Sequence, residues 1–279
     1  MISSDEHTQS ELKPPISPPK ILCFHKLQAH FSYGSTNYSP RRFEKLIQRL
    51  LRVGYRIGTV TEVMKQPSED RLAITFDDGY AHLADALPGL MRAYRFRPTV
   101  FMPTGYIGRS NDWDYSHVIQ KVPHMEEEQI RRLAGEGAQF GSHGHAHCDL
   151  TGLDSERLRE ELERSRQILE GITGTEVDTV SYPFGRCNEA VMTAAGDAGY
   201  RYGFTMSFPR GTDSALAAGR YGIHGFDTQL AVLTRLNHGV LYPLEHAKAA
   251  FTSKLSGGTV LLDRLRGRGG RKSPKPRSG

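Results

Sequence analysis

RLAITFDDGY (71–80) runs a strand-forming apolar segment straight into two adjacent carboxylates, Asp77 and Asp78, followed by a glycine. Asp-Gly is also the favoured two-residue loop of a β-hairpin. The residues that follow, 81–95, carry a helical pattern instead of a second strand. The unit is therefore strand, turn, helix, with both acids at the carboxyl end of the strand.

Outward from this unit the same alternation repeats. ILCFH (21–25) is rich in strand formers, and Ser39-Pro40 supplies an N-cap with proline at the first helical position. Phe43, Leu46, Ile47, Leu50 and Leu51 recur at the helical period, Gly54 ends that helix, and a short strand is expected over 57–60. Beyond the acids come a strand PTVFMPTG (98–105), a polar stretch with Asn111, Asp112 and Trp113, a helix over about 126–135 and a strand AQFGSH (138–143). A helix from Ser155 to Gly171 carries an apolar stripe at Leu158, Leu162 and Leu169. VDTVSYP (177–183), a helix near 188–198, YRYGFTM (200–206) and GRYGIHG (219–225) continue the series, and helices over Gln229 to His238 and Leu244 to Leu255 close it. This alternation predicts an α/β fold, a distorted (β/α) barrel of about seven or eight parallel strands. A doubly wound sheet is the alternative, but no GxGxxG loop follows the first strand. His25, Asp77, Asp78, His143 and His224 each fall at the carboxyl end of a predicted strand. Barrel enzymes build their active sites on that rim.

Composition narrows the class. At 279 residues, 38% hydrophobic and 24% charged, the chain suits one large globular domain, expected over 21–262. Residues 1–20 read as a flexible, proline-rich leader without the basic and apolar regions of a secretory signal. The net charge of +5 is concentrated at the end: from Arg264 onward there are seven Lys or Arg and no acid, and the remainder is slightly acidic. Residues 263–279 are thus expected to be a disordered basic tail, with no nucleic-acid partner, since no aromatic residue is interleaved to stack on bases. Such a tail suits peripheral contact with an anionic membrane face. Cys23, Cys148 and Cys187 imply no disulfide framework, and the expected setting is cytoplasmic.

Two adjacent acids at the end of an apolar strand are costly if buried unpaired. A divalent metal would neutralise one and leave the other free to take a proton from an attacking water. HGHAH (143–147) places His143 and His147 four residues apart, a spacing that brings two imidazoles to one ion. On a helix such a pair is ordinarily a surface feature, but here it follows a strand. Two histidines and a carboxylate leave coordination positions open, as a catalytic ion needs. The same set serves non-haem iron oxygenases, which this parallel α/β pattern disfavours. His145 is expected to point to solvent.

Taken in order, CFHKL, FEKLIQRLLRVGYRIGTVTEV, ITFDDGY, PTVFMPTGYIG, FGSHGHAHCDLTGL, SYPFGRCNEAV and AGYRYGFT resemble the NodB-homology polysaccharide deacetylases, carbohydrate esterase family 4. Within that family they look most like the branch with a tyrosine–histidine strand near the start and a YPFG motif. The resemblance implies a metal-dependent hydrolase that removes N-acetyl groups from an amino sugar in a polysaccharide, oligosaccharide or glycolipid. It assigns Asp77 as general base and Asp78, His143 and His147 as ligands of one divalent ion, zinc foremost, with cobalt, nickel or manganese as alternatives. It gives the Phe184 backbone N–H to the oxyanion and Tyr182 of the same motif to the substrate side. His224 in GIHGF is the first candidate to protonate the leaving amine and His25 the second; Trp113 would stack on a sugar face.

Three departures from the family pattern matter. Gly144 stands where Ser or Thr is usual, Ser181 replaces the arginine that orients the base, and the leucine-x-histidine acid motif is not clear. Arg220, from the next strands, is the residue that could reach the base instead. The alternatives on this scaffold are hydrolysis of another C–N bond, such as a formamide or cyclic amide, or an O-acetyl ester. The non-enzyme alternative is a catalytically impaired sugar-binding module.

Overall fold

The computed structural model describes residues 18–29, 36–110, 122–209 and 213–237. Trp113, the helix expected over 244–255, most of the leader and the whole basic tail lie outside the described residues. The chain opens with β1 (Lys20–Phe24), the short pair β2 (Lys26–Leu27) and β3 (Asn37–Tyr38), then α1 (Pro40–Arg52), β4 (Arg56–Gly58) and α2 (Val60–Lys65). Next come β5 (Arg71–Phe76), α3 (Leu83–Tyr94), β6 (Thr99–Met102), α4 (Glu127–Gly135), β7 (Gln139–Ser142) and α5 (Ser155–Thr173). It continues through β8 (Thr179–Ser181), α6 (Glu189–Asp197), β9 (Tyr202–Phe204), β10 (Tyr221–Gly222) and α7 (Gln229–Asn237).

Seven strands lie side by side in the order β10-β1-β5-β6-β7-β8-β9, all parallel, with β4 paired to β5 off this path. An isolated parallel bridge between Phe204 and Ala218 carries β9 to the last strand segment, whose Tyr221 and Gly222 pair with Leu22 and Cys23 of β1. The sheet is thereby curled into the distorted (β/α) barrel that the alternation predicts.

Period-two alternation assigns the two faces of each strand. On β5, Leu72, Ile74 and Phe76 join the core shared with Phe43, Leu46 and Leu50 of α1, whereas Ala73 joins Ile21, Phe101 and Phe204 in a second cluster within the barrel. The same alternation aims Thr75 and Asp77 inward. The outer core is aromatic: Phe43 packs on Phe24 at 5.2 Å, Phe76 at 5.6 Å and Phe96 at 6.3 Å. Among the described residues no helix is long and apolar enough to cross a membrane.

Several expected boundaries shift for local reasons. The strand expected over 57–60 ends at Gly58 because Thr59 and Glu62 form a reciprocal capping box that starts α2. That helix has six residues, too few for a periodic pattern to show. Pro103 turns the strand expected over 98–105 into a 3-10 turn over Thr104–Tyr106. The strands expected over 200–206 and 219–225 shorten to Tyr202–Phe204 and Tyr221–Gly222.

Phe43 is fully buried at the junction of α1 and the sheet. Phe43→Ala should lower unfolding stability by about 3–5 kcal/mol, read from the urea midpoint.

Candidate active site

β5 delivers Asp77 to the barrel rim with its amide bonded to the carbonyl of Phe24, so β1 fixes where the carboxylate begins. Its charge is answered by Arg220, just before β10. Arg220 Nη1 donates to Asp77 Oδ1 at 2.8 Å and Nη2 to Oδ2 at 2.7 Å, a bidentate pair with both side chains at most 3% exposed. The guanidinium also donates to Thr75 Oγ1 at 3.1 Å and lies over the rings of Phe101 and Phe204. Burial, the largest single influence, would raise the Asp77 pKa, but the Arg220 charge and hydrogen bonds together with the neighbouring imidazoles His143 and His25 outweigh it and hold the carboxyl far below the usual range.

Ser181, at the end of β8, touches both halves of the site. Its hydroxyl accepts from Arg220 Nη2 at 2.7 Å and donates to Asp77 Oδ2 at 3.0 Å. Its carbonyl accepts from His143 Nδ1 at 2.6 Å. That bond places the His143 proton on Nδ1 and leaves Nε2 as the free donor atom.

Asp78 turns the other way. Its backbone is left-handed at φ 68°, and Oδ1 sits 3.5 Å from His143 Nε2 and 3.4 Å from His147 Nε2. Ligand atoms about 2.0–2.1 Å from one tetrahedral ion lie about 3.4 Å from each other. These separations are long for hydrogen bonds and match a shared ion, and the three donors lie within 4.8 Å of one another. An anionic oxygen with two imidazole nitrogens is a set that borderline divalent ions prefer. The residues present fit a metal. Burial opposes ionisation in all three; the two imidazoles facing Asp78 nevertheless carry it well below its usual value. The Asp77 and Asp78 charges raise His143, whereas His147 stays lowered.

The other expected site residues are less uniform. Phe184, in a turn after β8, has φ 59° and its ring stacks edge-on against His147 at 5.0 Å. His25, one residue past β1, places a ring nitrogen within 4.8 Å of the Asp77 carboxylate, and its buried Nδ1 has no hydrogen-bond partner among the described residues. His224 lies at the rim two residues past β10, half-buried and stacked on Phe226 at 5.3 Å. Tyr182 is buried in the core, its hydroxyl donating to the Leu216 carbonyl at 2.7 Å. His145 corrects an expectation: it is 5% exposed, not in solvent, because its Nδ1 bonds Thr104 Oγ1 at 2.9 Å. Burial pushes the Cys148 thiol up to about 12 and Cys187 up to about 11, so neither is a thiolate at neutral pH.

Sequence reasoning missed two supports. Glu161 of α5 accepts the backbone N–H groups of His145 and Ala146. Its signal was an acid on the apolar stripe between Leu158 and Leu162. Asp227 and Arg235 form a buried ion pair at 2.7 Å, and Asp227 also accepts the His224 N–H at 2.8 Å, fixing the loop that carries His224. The only signal for it was an i, i+8 charge pair spanning a loop and a helix.

Residues 64–203 match the family model for polysaccharide deacetylase, half of the chain. The chain belongs to the polysaccharide deacetylase family. A relative named for the same family, YxkH of Bacillus subtilis, is 32% identical over 192 residues, covering 66% of this chain and 63% of its own length. The match thus spans less than two thirds of that relative. Two solved structures share the fold. The deacetylase PplD of Streptococcus pyogenes superposes with TM-score 0.68 at 18% identity, over 78% of this chain and 97% of that one. A polysaccharide deacetylase from Bacillus cereus gives 0.66 at 22% identity, over 78% and 68%.

The depressed Asp77 pKa contributes stability that is fully present above the unfolded value of about 3.9 and is lost as pH falls toward the folded value. Wild-type stability should therefore decline below about pH 4. Arg220→Met, which strands a buried carboxylate, should cost about 3–5 kcal/mol at neutral pH and flatten that acid decline, both measurable by denaturation across pH.

Proposed function

We propose that this polysaccharide deacetylase family member removes N-acetyl groups from an amino sugar in a polysaccharide, oligosaccharide or glycolipid. The observation that carries the reading is the convergence of Asp78, His143 and His147 on one point beside Asp77, whose two oxygens are already taken by Arg220. A divalent ion held there, zinc foremost, supplies a Lewis acid for the amide carbonyl and a lowered pKa for water.

Asp77 removes the proton from the attacking water. Arg220 and Ser181 keep it ionised and aimed, at some cost in basicity. The Phe184 N–H donates to the developing oxyanion; the left-handed backbone at that residue and its ring against His147 support this placement. Tyr182 shapes the turn that presents Phe184, through its bond to Leu216. A histidine then hands a proton to the departing amine. His25 has the stronger geometric support, a ring nitrogen within 4.8 Å of the Asp77 carboxylate, and His224 is the alternative on the opposite edge of β1.

The test is acetate release from N-acetylglucosamine oligomers, with and without chelator, beside a formamide and an O-acetyl ester as rival substrates. Asp77→Asn should retain metal and lose at least about 100-fold in turnover, while His143→Ala should lose metal by elemental analysis. Full metal occupancy with no hydrolysis of any of these would refute the enzyme reading and favour a binding module.

The proton donor is read separately. His25→Ala and His224→Ala are compared by pH–rate profile at saturating metal. The donor's variant should lose the alkaline limb, and loss of that limb in His224→Ala alone would return the role to His224.

A further inference from the structure

The loop from His143 to His147 has to reverse direction within five residues so that both imidazoles face Asp78. Its backbone is tied at successive positions. The His143 N–H bonds the Met102 carbonyl at 3.0 Å, and the Gly144 N–H bonds Ser142 Oγ at 3.0 Å. The His145 and Ala146 N–H groups both bond Glu161 Oε2, each at 2.8 Å. From the other side, Thr104 N and Gly105 N donate to the carbonyls of Gly144 and His145. A Cβ on Gly105 would lie 2.7 Å from the His145 carbonyl oxygen, so only glycine lets the two segments meet this closely. The next residue after these ties is His147, at φ 50°.

Glu161 is the one carboxylate in this scaffold, and it sits inside. It is 9% exposed on α5, a 19-residue helix that packs against β7. One of its oxygens takes both consecutive N–H groups, which fixes the orientation of two successive peptides. Those two peptides separate the first imidazole from the second. Gly144, at φ +73°, leaves room for the carboxylate: a Cβ there would come within 3.4 Å of Oε2.

We propose that Glu161 is a positioning residue for the metal cluster, its carboxylate setting the turn that returns His147 to Asp78. This rests on the reading of Asp78, His143 and His147 as ligands. Reach and acceptor geometry are what the role demands, because the partners are neutral N–H groups. An amide oxygen at the same distance serves equally, whereas a carboxylate one methylene shorter does not.

Glu161→Gln keeps the reach and loses the charge; Glu161→Asp keeps the charge and loses the reach. Each is stripped of metal, its melting temperature is recorded, and zinc affinity is measured by competition with a chromophoric chelator. Glu161→Asp should bind zinc about 10- to 100-fold more weakly, the usual loss for an outer partner of a ligand, with Glu161→Gln close to wild type. Both variants binding like wild type, or Glu161→Gln the weaker of the two, overturns the proposal. Wild-type protein that takes up no zinc overturns the ligand reading itself, and the brace with it.

Discussion

Two buried carboxylates adjacent in sequence are the constraint around which the rest of the structure is arranged. Neither Asp77 nor Asp78 can stay ionised in an apolar rim without its own counter-charge. The barrel supplies the two answers from opposite directions. Asp77 shares the inward face of β5 with Thr75, and Arg220 meets it there across the lumen, with Phe101 and Phe204 packed beneath the guanidinium. Asp78 is swung out of that face by its left-handed backbone and meets the imidazoles of His143 and His147. The division leaves the two carboxylates chemically different: Arg220 and Ser181 bond both Asp77 oxygens, whereas Asp78 faces two imidazole nitrogens.

How far this was legible in the sequence depended on whether a residue's partner was local. The strand ending on the two acids, the histidines four apart and the placement of five ionisable groups at strand ends all follow from short-range pattern, and the structure brings them to one rim. Arg220 was legible by way of a gap: with Ser181 in the usual arginine position a cation had to come from elsewhere, Arg220 of the next strands was the candidate, and the structure places it on Asp77. Glu161 and the Asp227–Arg235 pair were not read, because their partners are backbone groups or lie across a loop. His145 was misread for the same reason, since a histidine beside a loop glycine carries no mark that Thr104 waits for it. Trp113 falls outside the described residues.

Backbone strain adds an independent argument about where function lies. Four non-glycine residues among those described have left-handed φ, and three of them are Asp78, His147 and Phe184. Each such residue costs about 1–3 kcal/mol and persists only where surrounding contacts over-determine it. The contacts are present: Glu161, Thr104 and Gly105 around the loop that leads to His147, and the Tyr182–Leu216 bond beside Phe184. Asp78, His147 and Phe184 share one place, where the Asp78 carboxylate lies between two imidazoles and the Phe184 ring packs on one of them. Under the proposed function, the unfavourable backbone is the cost of aiming these groups, offset by the bonds around them.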